Sequence, residues 1–425
     1  MNILVFSDSA WDDTNSLGNT MSNFFGGNIW KNDNFFNIYL RNAKPNNRVC
    51  KKYYRMTIFD MVKNYFNKEK IGLELNYEFE NKKGDNTSKQ KNEQKCINFL
   101  HKYSIKPIYY FMDFIYRKNK WNNKRFKKFI EDTKPDIVFS FLKNVSILNL
   151  LIEYIKESTS ARVVIFIADD VYGQYNKRNF FFREKILKEM RNVINDCDII
   201  YAISNELCEK YGKIYNKNIE LLYKGCKFNY PVKDKINSVI KFVYAGNLLY
   251  GRDKILAKIA KAIEKCNKKE LSAILEIYTG TQITEEIQKS LNIENSSIIM
   301  GKRNYDEIKE IMNNAEYNLH VESFEPDNIE NVKYSFSTKI IDCLQSGSCF
   351  IGIGPRDISS IKYINQIPGA YVIDDIDNIE NEIIKLIENK DNILNNAKKI
   401  REYALKNHDI KKNQLELRND FIKSK

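Results

Sequence analysis

Lys241-Phe242-Val243-Tyr244-Ala245-Gly246-Asn247-Leu248-Leu249-Tyr250-Gly251-Arg252-Asp253-Lys254 reads as a buried strand, a glycine-bearing turn and the start of a helix. The apolar run Lys241 to Ala245 is too short for a helix and is bounded by turn residues, as a strand of a parallel sheet is. The amphipathic stretch Ile255 to Ala262 follows it and completes a strand-to-helix unit. Working outward, the same alternation continues through strands at Ala273 to Tyr278, Ser297 to Met300, Tyr317 to Val321, Cys349 to Ile353 and Ala370 to Ile373. Before it lie an earlier set, Ile3 to Phe6, Ile137 to Phe141, Val163 to Ile167, Ile199 to Ile203 and Ile219 to Tyr223, with helical patterns at Ser146 to Lys156 and Phe182 to Asn195. The alternation restarts near residue 240, after Pro231 and the polar Lys233 to Ser238 stretch. This predicts an α/β chain of two Rossmann-like, doubly wound parallel-sheet domains. The expected divisions are residues 1–232, residues 233–405, and a helical tail at 406–425 that packs back on the N-terminal domain. The polar stretch Asn81 to Gln94 reads as a mobile insertion.

At 425 residues the chain exceeds one ordinary core, in line with two domains. Its 68 Lys+Arg against 55 Asp+Glu give a formal charge of +13, which favours anionic partners. The eight cysteines show neither C-x-x-C spacing nor close pairing, so neither a zinc site nor a disulfide framework is indicated, and reduced thiols in a cytoplasmic protein are expected. No run of 18 apolar residues occurs, so the expected protein is soluble or bound to a membrane surface.

In open α/β sheets, ligands bind beyond the carboxyl ends of the strands. Tyr334-Ser335-Phe336-Ser337-Thr338-Lys339-Ile340-Ile341-Asp342-Cys343-Leu344-Gln345-Ser346-Gly347 reads there as a phosphate cradle opening a short helix. Ser337 or Thr338 is expected to cap it, the first amides and the dipole attract an anion, and Lys339 adds a full charge. Asp342, on the same helical face, suits a ribose hydroxyl, and Gly347 ends the helix. The same segment also reads as an ordinary capped helix with a local Lys339/Asp342 pair.

After the strand at residue 245, Gly246 and Gly251 permit close backbone approach, Asn247 lies between them, and Arg252 and Lys254 suit diphosphate oxygens. The loop matches neither Gly-x-Gly-x-x-Gly nor Gly-Lys-Ser/Thr, which disfavours a nicotinamide dehydrogenase or a P-loop NTPase. Gly301-Lys302-Arg303-Asn304-Tyr305 offers backbone groups for a base edge flanked by Lys302, Arg303 or Tyr305, and reads equally as a plain turn before a helix at Asp306 to Met312. In the first half, Asn15, Ser16, Gly18 and Asn19 form a polar loop beside a helix start at Asn19, suited to sugar or phosphate. Asp169 and Asp170 follow a strand directly. Without a histidine or a third acid nearby they make a poor metal site, so Asp169 is assigned to sugar hydroxyls, while Asp170 reads equally as part of that site or as a helix N-cap. His101 and His408 read as bland, whereas His320 ends a strand near Glu322 and Glu325. Residues 102–129 interleave aromatics (Tyr103, Tyr109, Tyr110, Phe111, Phe114, Tyr116, Trp121, Phe126, Phe129) with basic residues. That pattern fits an anionic membrane surface, single-stranded nucleic acid, or a helix covering the first domain.

Taken together, these loops resemble the retaining GT-B glycosyltransferases of the family 4 type, particularly bacterial enzymes that assemble capsular, O-antigen or other surface polysaccharides. The resemblance rests on Phe242 to Lys254, on Ser335 to Pro355, on Trp11 to Asn19 and on Ala202-Ile203-Ser204. It implies two Rossmann-like domains facing each other across a cleft, with the acceptor on the first and the nucleotide sugar on the second. The family's paired acids, separated by seven residues, align with Tyr334 and Asp342. The first is therefore replaced, and Glu322 or Glu325 is expected to substitute. The family histidine after a first-domain strand is replaced by Asp169.

The resemblance implies transfer of a hexose from a nucleotide-diphosphate sugar, UDP-sugar first, to a glycan or polyprenyl-diphosphate-linked acceptor. The anomeric configuration is retained, Asp169, Arg252 and Lys339 are catalytic, and no metal or cofactor takes part. Tyr334, Ser335, Ser337 and Thr338 join the donor contacts. The expected place is the cytoplasm, at the inner face of the membrane through residues 102–129, with no nucleic-acid partner. A sugar-nucleotide epimerase or hydrolase on the same scaffold, and a non-catalytic nucleotide-sugar or glycan-binding partner, remain as alternatives.

Overall fold

A computed structural model describes residues 1–76, 106–176, 180–268, 270 and 272–423. The Asn81 to Gln94 stretch, Cys96, His101 and Tyr103 lie outside the described residues. The chain divides into two compact units, Met1–Leu222 with Gln414–Lys425, and Tyr223–Asn413.

The first unit carries β1 (Asn2–Ser7), β2 (Asn34–Tyr39), β3 (Lys52–Arg55), β4 (Leu73–Asn76), β5 (Ile137–Phe141), β6 (Arg162–Ile167), β7 (Ile199–Ala202) and β8 (Glu220–Leu221). They form one sheet in the order β4-β3-β2-β1-β5-β6-β7-β8, parallel except for the β3–β4 edge pair. Both faces of the central strands are covered, so β5 is buried along its whole length, and its sequence is apolar except for Ser140, whose hydroxyl donates to the Phe6 carbonyl at 3.2 Å. Its core is aromatic: Phe25 meets Phe139 edge to face at 5.1 Å, and Phe24 meets Phe166 at 5.3 Å. The end of the chain belongs to this core. Phe421 is fully buried against Trp30, with ring centroids 5.9 Å apart, and Gln414 Nε2 donates to the Asn23 carbonyl at 2.6 Å.

The second unit carries β9 (Ile240–Ala245), β10 (Ala273–Tyr278), β11 (Ser297–Ile299), β12 (Tyr317–Val321), β13 (Cys349–Ile353) and β14 (Tyr371–Ile373). All pair in parallel, in the order β11-β10-β9-β12-β13-β14. The first strand of the unit thus sits mid-sheet, and the order reverses between β9 and β12. The loops that leave these two strands lie side by side, the place where doubly wound sheets hold ligands. Tyr317 stacks on Phe242 beneath them at 5.0 Å.

The chain enters and leaves the second unit at one point. The Cys226 amide donates to the His408 carbonyl at 2.6 Å, and Cys226 and Asp409 form an isolated parallel bridge. Gly225 permits this approach, because a Cβ there would stand 2.4 Å from the Ile410 α-carbon. No helix among the described residues is long and apolar enough to cross a membrane.

Candidate functional site

The best-defined polar constellation lies at the β9/β12 reversal of the second unit. Gly251, in the left-handed conformation at φ 72°, starts the Arg252–Cys266 helix, and a Cβ on it would stand 2.9 Å from Ser323 Oγ. That close approach brings Arg252 onto Glu322. Arg252 Nη2 and Nε reach Glu322 Oε2 at 2.7 and 3.2 Å, Nε also donates to the Val321 carbonyl at 3.0 Å, and Nη1 donates to Asn247 Oδ1 at 2.8 Å. Glu322 is buried. Burial by itself would raise its carboxyl, but His320 and Arg252 outweigh burial and hold it below the ordinary value. His320 Nε2 stands 3.3 Å from Glu322 Oε1 without an aligned hydrogen bond. Lys254 pairs instead with Glu325 at the surface, and Asn328 also donates to Glu325, at 2.7 Å.

Lys339 opens the Lys339–Ser346 helix, which Gly347 ends at φ 84°. Neither serine nor threonine caps it with a side-chain bond: Thr338 is already helical at φ −60°, ψ −16°, so its hydroxyl does not reach the second and third amides. The Ser337 amide donates to Ser360 Oγ at 3.1 Å, and the Ser335 amide to the Val332 carbonyl at 2.9 Å. The local Lys339/Asp342 pair does not form. Lys339 Nζ runs over Gly246 and lies 5.7 Å from the Tyr244 ring centroid, and among the described residues it has no ion-pair or hydrogen-bond partner. Burial, and then the neighbouring Arg252 charge, bring its pKa down from 10.5 to about 8. Asp342 Oδ1 instead accepts from Tyr305 Oη at 2.8 Å and Gln345 Nε2 at 3.1 Å.

Sequence-expected residues of the second unit therefore fall into three places. Gly246, Asn247, Arg252, Glu322, Lys339 and Asp342 gather around the strand reversal. Tyr334, Ser335, Ser337 and Thr338 form the half-buried loop ahead of the helix, and Lys302 and Arg303 are exposed past β11, where the Lys302 stem passes Gly280. Tyr244 and Gln345, which the sequence does not single out as contacts, complete the group. Their signal was weak, since a strand tyrosine and a helix glutamine carry no motif.

In the first unit the helix starts at Ser16, not Asn19. Asn15 is extended and its side chain accepts the Gly18 amide at 2.9 Å, which satisfies a donor that an anion would otherwise take. Gly18 is buried against the Asp12 backbone, 2.0 Å from where its Cβ would stand, and the Asn19 amide donates to the Asn15 carbonyl at 3.0 Å. Asp169 is exposed after β6, while Asp170 accepts the Gly173 amide at 3.1 Å and pairs with Lys210 at 2.6 Å. At the reversal beside β1, Asp8 binds Arg41 at 2.6 Å and Asn144 Nδ2 at 2.9 Å, with Lys143 at 3.6 Å. This cluster was missed because its members come from three separated loops.

The aromatic segment 102–129 is only partly a surface. Tyr116, Trp121, Phe126 and Phe129 are core residues, so for these four rings the reading as a helix covering the first domain holds and the membrane-facing one does not. Phe111 and Phe114 are exposed, and they are joined by Phe66, fully exposed, and by Phe180 and Phe181. Tyr110 and Phe182 link two of these helices at 4.5 Å, and Lys118, Lys120 and Arg183 lie over the rings of Phe114, Tyr65 and Phe180.

No protein-family model matches the chain. In sequence it is similar to the uncharacterized MG349 homolog of Mycoplasma pneumoniae, 24% identical over 188 residues that make up 41% of this chain and 43% of that one. A Mycoplasma genitalium protein, uncharacterized MG349, is 32% identical over 91 residues, 21% of this chain and 22% of its own. The chain thus spans less than half the length of either relative. In structure it is similar to Anabaena HepE in complex with UDP and glucose, with a TM-score of 0.61 and 10% identity across the whole of both chains. Sucrose-phosphate synthase from Thermosynechococcus elongatus gives 0.61 and 10% over 100% of this chain and 99% of that one. WaaG, a glycosyltransferase involved in lipopolysaccharide biosynthesis, gives 0.56 and 10% over 94% and 95%. At such identities the likeness is one of fold: the chain has the GT-B fold of glycosyltransferases, two Rossmann-like parallel-sheet domains.

Proposed function

We propose that the protein is a glycosyltransferase that moves a hexose from a nucleotide-diphosphate sugar, UDP-sugar first, to a glycan or polyprenyl-diphosphate-linked acceptor with retention of configuration. The observation that carries this reading is Lys339, a half-buried ammonium that makes no hydrogen bond or ion pair among the described residues, at the start of a helix without a side-chain cap bond. Such a group is stabilised by a diphosphate. As the donor bond loosens, charge develops on the leaving diphosphate, and Lys339, Arg252 and the helix amides stabilise it electrostatically. In this reading no metal is required, Asp342 takes the ribose, Asp169 orients a sugar, and the leaving phosphate accepts the proton of the incoming hydroxyl. HepE binds UDP and WaaG acts in lipopolysaccharide biosynthesis, which supports UDP as donor base and a surface glycan as product. In this reading the acceptor lies at the inner face of the membrane, and the exposed phenylalanines of the first unit support a contact with that surface.

Incubating the purified protein with a panel of nucleotide sugars and lipid-linked acceptors tests this, with UDP release expected from one of them and Lys339→Ala abolishing it. Turnover unchanged in Lys339→Ala sinks the assignment.

One observation favours a second reading. Tyr334 stands where the resembled family has an acid, and Glu322 is engaged by Arg252, so a non-catalytic nucleotide-sugar-binding partner is the alternative. Tight UDP-sugar binding without turnover by any acceptor distinguishes it.

A further inference from the structure

Asp342 is held by two donors from different elements. Tyr305 stands at the first position of the Tyr305–Asn314 helix, whose start is fixed by a capping box between Asn304 and Glu307. Lys309 Nζ lies 3.9 Å from the Tyr305 ring centroid and binds Asp306 at 3.1 Å, so the ring is clamped on its face. Gln345 is buried, and its orientation is settled by its other end: Oε1 accepts the Lys227 amide at 3.0 Å, which leaves Nε2 for Asp342. Both donors converge on Oδ1. Among the described residues, Oδ2 has no hydrogen-bond partner.

A carboxylate oxygen accepts about two hydrogen bonds, so Oδ1 is saturated and the group cannot rotate about its twofold torsion without breaking both. Burial and the adjacent Asp342 charge push the Tyr305 phenol up, so it stays a donor across the working pH range. A pair of hydroxyl donors arriving at this site meets one open oxygen, already oriented.

We propose that Tyr305, seconded by Gln345, is a positioning residue that holds Asp342 with one oxygen reserved for the ribose hydroxyls of a nucleotide. The inference rests on the nucleotide-sugar reading above and adds to it the origin of ribose selectivity. A role in packing alone gives Tyr305 no influence on which nucleotide is preferred.

The test compares dissociation constants for UDP and for 2′,3′-dideoxyuridine diphosphate in the wild type and in Tyr305→Phe, with the melting temperature as fold control. The wild type is expected to prefer UDP. Tyr305→Phe is expected to weaken UDP by roughly 3–10-fold, the worth of one hydrogen bond, and to leave the dideoxy compound unchanged. If UDP binds the wild type and the UDP-to-dideoxy ratio is the same in Tyr305→Phe, the positioning role is overturned and the nucleotide site stands. If UDP does not bind the wild type, the nucleotide reading falls and this inference with it.

Discussion

Lys339 reaches across the strand reversal so that its ammonium lies 2.3 Å from where a Cβ on Gly246 would stand. The glycine is therefore the floor on which the cation rests. Gly246→Ala puts a methyl group into that space, where it meets the lysine end and also Tyr244 Oη and Cζ at 2.7 and 2.9 Å, so both side chains must shift. UDP affinity should drop about tenfold, the loss of one charge-assisted contact, and the melting temperature should fall as the buried Tyr244 ring is displaced. Isothermal titration beside a thermal melt checks both halves.

The Lys339 pKa of about 8 gives nucleotide binding a pH signature. Diphosphate binding needs the ammonium. As pH rises through 8 the free protein sheds that proton, so UDP affinity should fall by up to tenfold per unit from there until the value of the complex is reached. Stability moves the other way. A depressed lysine costs the folded state most below 8, and the cost is relieved as pH climbs to the ordinary 10.5. Titrations from pH 7 to 10 should show the affinity loss in the wild type and a flat profile in Lys339→Ala.

Glu322 and Arg252 form an ion pair with side chains 4% and 12% exposed. Removing the acid leaves a largely buried guanidinium unpaired, so Glu322→Ala should lower the unfolding free energy by about 3 kcal/mol in denaturant titration. The carboxyl is held below its ordinary 4.5. Its contribution is thus complete above that value and is lost as pH falls through the depressed one, so Glu322→Gln should make acid unfolding less steep.

Phe66, Phe111, Phe114, Phe180 and Phe181 are exposed, with Lys118 over Phe114 and Arg183 over Phe180, a pairing of rings and cations suited to anionic head groups. Phe66→Ser with Phe181→Ser should cut co-sedimentation with phosphatidylglycerol vesicles several-fold, and added salt should cut it further. Equal binding by the double variant would exclude this face.

Much of the sheet framework was legible in the sequence. Ala273–Tyr278, Tyr317–Val321 and Cys349–Ile353 were read to the residue because each is a short, mostly apolar run bounded by polar or turn residues, even though Glu276, Asn318 and His320 lie within them. β2 and β3 were not. Asn37 interrupts β2 at a fully buried position, paid for by bonds from its side chain to the Val5 carbonyl, Ser7 Oγ and the Trp11 amide, and no window of sequence reveals such partners. β3 is flanked by Lys52 and Arg55 and looks like a surface turn. At the site, Lys339, Arg252 and Asp342 were recognisable one by one. What each holds was not, because Gly246, Glu322 and Tyr305 reach them from other strands and helices and local spacing is silent about those encounters.

The bridge between Cys226 and Asp409 carries a consequence for how this chain can be cut. A polypeptide from Tyr223 to Asn413 begins and ends beside a pair of backbone hydrogen bonds, from the Cys226 amide to the His408 carbonyl and from the Ile410 amide to the Cys226 carbonyl, and so is a cassette with its own core. Such a piece can be expressed alone, or its ends joined by a short linker and the chain reopened elsewhere, without stretching any strand. The first unit is the one built from segments on both sides of this cassette, since Phe421 must return to the rings of Phe25 and Trp30 before its core is filled. Synthesis from the N-terminus therefore completes the second unit's sequence before Phe421 reaches the first.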